Sequence, residues 1–388
     1  VPVWVPANAE IVIEGYVSHE AGPIGWDPRD PNAGPLGPGA VFEGPFGDHT
    51  GFYSLPDRYP ILEVTAITHR RDPIYPTTIV GLPPQEDYYL GKATERIMRP
   101  LLKTIMPDVE DYDLPMFGAF HNAAALTIDK QYPLQARRAM HGVWGAGQMA
   151  WTKNVFVVDT DIDVHDSNAV LKAAAERCCP AHDVERVRGP LDILDHAAPH
   201  LGAGSKVGFD CTRKVPDERP INPCAQWTAL DAATALELLE AVGGIPGVRG
   251  ATLPEALGRG WLIVSIDKAA GGDGQRVIAD IERTGGSRTP PFVIVVGPEV
   301  DPEDTDTALF HWCAHTDAGR DAALFRVPGP HSGTRAVLAF DATPKMPGDE
   351  RNGDPVRQWP PIIEMPPAIR ERIEARWLEL GLGDGPVD

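Results

Sequence analysis

Apolar and polar residues alternate at period two in two stretches near the start of the chain, residues 10–17 and 61–68. A strand with one covered face needs that alternation, so both are predicted as strands and residues 1–85 as β-rich. A stretch rich in proline and glycine, residues 22–48, separates them. A loop of that length in a compact domain is usually functional or disordered. The period then changes. Over residues 86–106, Leu90, Ile97, Leu101 and Ile105 fall on one helical stripe. Beyond this helix the pattern predicts strand 123–128, helix 134–149, strand 154–158 and helix 168–177. Such alternation is the signature of an α/β layer.

The layer is written twice. Leu-Thr-Ile-Asp-Lys at residues 126–130 is echoed by Val-Ser-Ile-Asp-Lys at 264–268, and Val-Phe-Val-Val at 155–158 by Val-Ile-Val-Val at 293–296. Asp163 and Asp166 match Asp301 and Asp304, all at the offset that separates Leu126 from Val264. After a small deletion, Phe209, Asp210, Thr212 and Lys214 parallel Phe340, Asp341, Thr343 and Lys345. Residues 110–216 therefore read as duplicated at about 248–347. The copies differ before their central strand, where the first has Trp151, Thr152 and Lys153 and the second Thr289, Pro290 and Pro291. The second copy is read as structural or oligomer-forming, with no second active site. The expected division is a β-rich domain at 1–85, an α/β domain at 86–225, a second α/β module at 226–348, and a linker with a C-terminal helix at 349–388. That helix is predicted from Pro367 to Leu380, stopped by Gly381, with Ile369, Ile373, Trp377 and Leu380 on its apolar face. The stripe suits docking on its own domain or on a neighbouring subunit.

Composition narrows the class. The chain has 388 residues and a net charge of -20, which repels nucleic acid and anionic membrane, so neither is expected as a partner. No run approaches the ~20 apolar residues of a membrane span. Five cysteines without C-x-x-C spacing, two of them adjacent and poor partners for each other, point to a reduced, cytoplasmic compartment.

Chemistry concentrates in Glu43, Gly44, Pro45, Phe46, Gly47 and Asp48, followed by His49 and Thr50. Two carboxylates stand five residues apart in a tight, non-helical turn among Phe42, Phe46, Phe52 and Tyr53. Close carboxylates do not both ionise easily, so one is expected to hold a proton at higher pH and to serve in proton transfer. The alternative is a surface turn with ordinary Asp and Glu.

The full run, residues 43–53, resembles the signature of the UbiD family of aromatic-acid decarboxylases. Residues 9–15, 66–70, 81–84 and 204–210 and the pair Trp359 and Pro360 agree in order and spacing. The resemblance implies an α+β / α/β fold: part of a split, flavin-reductase-like β-barrel, then an α/β domain and its duplicate. It implies prenylated FMN as the electron sink that no side chain here supplies. It casts Asp48 as the proton donor and Glu43 as the partner of a catalytic arginine. It sets Lys153 near the cofactor phosphate, with His49 and Leu90 as further cofactor contacts. Without it, Lys153 reads as a solvated lysine at a strand end.

The family's arginine, and the ligands of its manganese-type divalent metal (possibly with potassium), precede the strand at 10–17. The chain opens on Val1 one short step before that strand. It reads as cut mid-protein, with a missing N-terminal portion or a separate chain supplying the rest of the site. Such a half-site alone is expected not to hold prenylated FMN tightly. Among twelve histidines, His69 reads as a satisfied core residue. His19, His121, His141, His165, His182 and His331 stand isolated. His196 and His200 are four apart but separated by Pro199. His311 and His315 could share a helix face, but no obvious third ligand accompanies them, and no metal ligand is assigned in the chain.

The expected function is decarboxylation of a hydroxylated aromatic or naphthoic acid, of the kind used in menaquinone or ubiquinone biosynthesis, by a homo-oligomer. A reversible phenol-type carboxylase and a non-catalytic scaffold subunit are the alternatives. Intact Glu43 and Asp48 weigh against the scaffold.

Overall fold

The computed structural model describes residues 4–18, 40–119, 121–218, 227–329 and 333–381. Most of the proline- and glycine-rich stretch, together with His19, Cys224 and His331, lies outside the described residues. The fold is mixed α+β, as expected, and forms two units: residues 1–86 with 360–388, and residues 87–359.

In the first unit β1 (Ile11–Val17), β2 (Ala40–Glu43), β3 (Asp57–Pro60) and β4 (Leu62–His69) form two antiparallel pairs, β1 with β4 and β2 with β3. A register shift at Gly15 bends β1, and a side chain there would strike the Glu63 carbonyl. The period-two pattern gives pairing here without burial. Ile13, Leu62, Val64 and Ile67 are exposed. His69, expected in a core, is exposed at the end of β4. The tail returns to this unit: Tyr53 N–H donates to Pro361 O at 3.0 Å and Ile363 N–H to Gly51 O at 3.0 Å. Helix α7 is in place, but the helix proper covers Pro367–Glu374 and buries no residue; turns carry the chain on to Leu380.

The second unit opens with α1 (Asp87–Ile105). Its stripe is where the periodicity put it, yet Leu90, Ile97, Leu101 and Ile105 are exposed. The helix docks through Leu102 and a polar edge instead: Glu95 is buried, Lys92 bonds Glu95 at 2.7 Å and also Asp113, and Arg96 bonds Asp111 at 2.9 Å.

Two sheets follow. The first takes β5 (Val109–Asp113), β6 (Ala123–Ile128), β7 (Asn154–Asp159), β8 (Val184–Pro190) and β9 (Ala203–Asp210), with α2 (Gln135–Val143) and α3 (Ser167–Arg177) between them. Its order is β5-β6-β7-β9-β8. Helix α2 is shorter than predicted; a 3-10 turn covers residues 147–151. The second sheet takes β10 (Val248–Thr252), β11 (Trp261–Ile266), β12 (Phe292–Val296), β13 (Ala322–Pro328) and β14 (Thr334–Ala342), with α4 (Ala232–Gly243), α5 (Asp273–Gly285) and α6 (Thr305–His315). Its order, β10-β11-β12-β14-β13, is the same. In both, the inner three strands run parallel and the two edges antiparallel. The inner strands β6, β11 and β12 are buried along their whole length, as parallel strands covered on both faces must be. Asp166 and Asp304 cap α3 and α6 by accepting from backbone N–H groups.

The sheets share one core. Phe156 stacks on Phe209 at 4.7 Å and Trp261 on Phe292 at 4.3 Å, with Trp312 against both pairs. Trp261 Nε1 donates to Leu171 O at 2.9 Å. Cys178, Cys211 and Cys313 are buried thiols.

Each sheet also buries the same charged cluster. In the first, Thr212 N–H donates to Asp210 Oδ1 at 3.0 Å, Lys214 Nζ lies 3.2 Å from Asp210 and 3.3 Å from Asp183, and Lys130 Nζ lies 2.6 Å from Glu218. In the second, Thr343 N–H donates to Asp341 at 3.1 Å, Lys345 lies 3.2 Å from Asp341 and 3.8 Å from Asp321, and Lys268 lies 2.8 Å from Asp349. Burial alone would raise the Asp341 carboxyl, but the charges of Lys345 and Lys268 and the bonds from Thr343 outweigh it and hold it below the usual range. Asp321, sharing the same lysine, is raised, chiefly by burial.

Replacing Lys345 by Met takes the ammonium from the buried Asp341 carboxylate, while Asp321 keeps Arg320 at 2.9 Å, and breaking such a buried pair costs about 3–5 kcal/mol. Urea unfolding at neutral pH should show that loss. A carboxyl with a lowered folded pKa stabilises above its unfolded pKa of about 4 and stops doing so as pH falls through the folded value. The difference between variant and parent should therefore shrink towards pH 3. A pH-independent difference would assign the loss to packing alone.

Candidate active site

Glu43 closes β2 opposite Asp57 of β3, and Val41 faces Tyr59 two residues back. Gly44, at φ +102, then turns the chain where a side chain is disfavoured. Gly47 bridges to Tyr53. A side chain on Gly47 would come within 2.9 Å of Ile363 and 3.1 Å of Val80, so the turn is packed between the tail and residue 80. Ser54 N–H donates to Phe46 O at 2.8 Å and Asp48 N–H to Phe52 O at 3.2 Å.

This frame separates the two carboxylates. Asp48 is 7% exposed, whereas Glu43 is exposed. Thr50 donates twice to Asp48 Oδ1, from its N–H at 2.7 Å and from its hydroxyl. Those bonds fix one oxygen of Asp48. His49 is half-buried, and its carbonyl accepts from Gln85 Nε2 at 3.2 Å.

Tyr59 was not singled out from the sequence. Its phenol pKa is raised, first by burial and then by the charges of Asp57, Glu43 and Asp48. Its ring lies 6.1 Å from Phe46. The structure thus brings Glu43, Asp48 and His49 together on one turn and adds a phenol among the carboxylates. Register was the missing signal: Tyr59 is near the turn only because β3 pairs with β2.

Lys153 and Leu90 belong to the second unit. Leu90 is exposed on α1. Lys153 is not a solvated lysine: it is 2% exposed and stands 2.7 Å from Asp195, also buried. Asp195 Oδ1 is spent on the N–H groups of Ala197 and Ala198 at 3.0 and 3.2 Å. A buried ammonium fits a phosphate oxygen in kind.

The other histidines resolve differently from expectation. His196 is buried edge-on to Trp359 at 4.6 Å and has no helical pairing with His200. For His311 and His315 a third candidate ligand does stand alongside, Glu299, which corrects the reading that none accompanies them.

Two domains of known type match the chain. The 3-octaprenyl-4-hydroxybenzoate carboxy-lyase (UbiD) Rift-related domain matches residues 1–83, and the C-terminal domain of the same enzyme matches residues 88–211 and 224–333. The chain belongs to the UbiD family. It is 46% identical over 235 residues to an uncharacterized protein of Archaeoglobus fulgidus, covering 60% of this chain and 45% of that one. It is 48% identical over 213 residues to an uncharacterized protein of Aquifex aeolicus, covering 55% and 40%. The chain spans less than half the length of these curated relatives. Among solved structures, the UbiD-class enzyme HmfF from Pelotomaculum thermopropionicum in complex with FMN is 30% identical with a TM-score of 0.43, covering 55% of this chain and 44% of that one. The vanillic acid decarboxylase of Sedimentibacter hydroxybenzoicus in closed form is 26% identical with a TM-score of 0.47, covering 58% and 44%. No described helix of this UbiD-family chain is long and apolar enough to cross a membrane.

The carboxylates around Tyr59 make a spectroscopic prediction. In tyrosine-labelled protein followed by NMR, Tyr59 should titrate above the ordinary phenol value of about 10, and Glu43→Gln should bring it down by removing one of the charges. A Tyr59 titration that Glu43→Gln leaves unmoved would remove Glu43 from its surroundings.

Proposed function

We propose that this chain carries the proton-donor part of a prenylated-FMN-dependent decarboxylase acting on a hydroxylated aromatic or naphthoic acid, in quinone biosynthesis of the menaquinone or ubiquinone kind. The observation that carries the reading is Asp48: a buried carboxyl, bonded by Thr50, on the turn that bears the family signature. When bound, prenylated FMN supplies the electron sink that removal of CO2 from an aromatic ring requires. The chain's own residues then have three tasks. Asp48 gives its proton to the ring carbon that loses CO2 and is reprotonated from solvent. Glu43, exposed at the mouth of the turn, holds an arginine contributed from outside this chain. Lys153 serves the cofactor phosphate, exchanging one anion, Asp195, for another, while His49 and Leu90 contribute contacts to the cofactor. A manganese-type metal, possibly with potassium, is proposed to clamp that phosphate through ligands outside this chain. The protein is read as a cytoplasmic homo-oligomer. The unburied apolar residues of α1 and α7 suit such contacts.

In the intact enzyme loaded with cofactor, Asp48→Asn should leave the fold in place and lower turnover by ~10²–10⁴-fold, the usual contribution of a positioned proton donor. Glu43→Gln should lower turnover while the flavin spectrum stays that of loaded protein. Near-parental turnover in Asp48→Asn overturns the assignment of the donor, and loss of bound flavin in Glu43→Gln moves Glu43 from catalysis to binding.

A further inference from the structure

The two copies of the sheet diverge at one edge, and the divergence has a chemical direction. In the first copy the loop after β7 carries Asp161, and α3 carries Ala173 and Arg177. Arg177 reaches Asp161 at 2.9 Å and Asp159 at 3.3 Å, closing that edge with an ion pair. At the repeat offset the second copy has Glu299 for Asp161, His311 for Ala173, His315 for Arg177 and Gly297 for Asp159. The arginine has been replaced by two imidazoles, four residues apart on α6, and the carboxylate has been kept.

The geometry of the replacement is that of a coordination polyhedron. His311 Nδ1 lies 3.6 Å from Glu299 Oε1 and 3.4 Å from His315 Nδ1. One ligand atom from each of the three residues lies within 4.8 Å of the others. Tetrahedral zinc with bonds of about 2.0–2.1 Å sets its ligand atoms about 3.3 Å apart. One edge, His311 Nδ1 to Glu299 Oε1 at 3.6 Å, is close to that length. His315 Nδ1 is also 3.1 Å from Ala342 O. Coordination through the other ring nitrogen keeps that bond, and a backbone carbonyl on the second ring nitrogen is the usual support of a ligating histidine.

The lysine beside His315 is Lys345, whose charge is already met by Asp341. His311 and His315 are buried, but the Glu299 side chain is 32% exposed, which leaves a route for an ion and room for a water ligand. A second such group, Glu95 with Asp113 and His165, lacks this character. There Lys92 already sits on Glu95 and Asp113 as the cation.

We propose that Glu299, His311 and His315 form a divalent transition-metal site, zinc by its nitrogen-and-carboxylate donor set, that ties the loop after β12 to α6. The inference is independent of the decarboxylase reading, because none of these residues belongs to the carboxylate turn. As a cross-brace the ion takes over the job that the Arg177–Asp161 pair performs in the first copy.

The test uses the untagged protein, stripped with a chelator and titrated with zinc chloride by calorimetry, with thermal unfolding followed in parallel. One equivalent should bind, and the melting temperature should rise with zinc as expected for a ligand of the native state. Magnesium chloride should do neither. Glu299→Gln, at an exposed position, should weaken zinc binding by at least about tenfold and His311→Gln by about 100-fold, and both should lose the melting shift. His200→Ala, at an exposed histidine elsewhere, should behave as the parent. Cobalt(II) should give visible tetrahedral absorption in the parent and not in Glu299→Gln. If the parent binds no zinc, the histidines are an aromatic cluster with His196 and Trp359 and the proposal falls. It falls equally if Glu299→Gln binds zinc as the parent does. Should His311→Gln fail to fold, the Glu299 variant and the cobalt spectrum still decide.

Discussion

A lysine buried between two aspartates, with a threonine closing the turn after the strand, is the interaction on which both halves of the second unit rest. Lys214 with Asp210 and Asp183, and Lys345 with Asp341 and Asp321, occupy the same place in two sheets of the same order. The arrangement is costly to bury and worse to break. Within each cluster one carboxyl is pushed down and the other up: Asp210 and Asp341 are lowered, Asp183 and Asp321 raised chiefly by burial. Two carboxyls sharing one ammonium must differ in this way. Asp210 N–H donates to Asp183 O at 2.9 Å and Asp341 N–H to Asp321 O at 3.0 Å. Each cluster thereby pins the end of the third parallel strand to the loop before the edge strand.

Because that cluster holds each sheet, the edges have been free to change. Lys153 in the first copy is matched by Pro291 in the second, and Arg177 by His315. The first change removes a cation that faces Asp195; the second removes a structural ion pair and leaves imidazoles. Both copies keep the Asp-Thr-Lys cluster, and the aromatic contacts among Phe156, Phe209, Phe292 and Trp312 remain in place. Chemistry varies where the core does not depend on it.

The sequence carried the central strands β6 and β7, and through the repeat β11 and β12, because these are largely apolar runs; the other strands of the two sheets were not read from it. It carried the position of α1 but not its environment. Leu90, Ile97, Leu101 and Ile105 form the stripe a docked helix would have, while docking is done by Leu102, Glu95 and the pairs of Lys92 and Arg96. Periodicity reports which residues share a face, not what covers it. Tyr59 was invisible because its neighbourhood is made by strand pairing, not by sequence proximity. Glu299 stands twelve positions before His311, a spacing with no motif value. The signal that would have found it lay in the repeat, where Asp161 and Arg177 are the matching positions.

The carboxylate turn shows why the two acids, so alike in sequence, are unlike in the fold. Glu43 is the last residue of a strand and faces Asp57 across an antiparallel pair, so its side chain stays at the surface. Asp48 lies where the chain is clamped from both ends: its own N–H bonds to Phe52 O, and Phe52 and Gly51 pair with the returning tail at residues 361–363. Burial of Asp48 therefore depends on a segment more than 300 residues away in sequence. A short run of glycine and proline sets the turn, and the tail and Val80 pack against its Gly47. The acid with the buried carboxyl is suited to hold and release a proton, and the exposed one to meet a charged partner. The division of labour between Glu43 and Asp48 follows from that unequal cover.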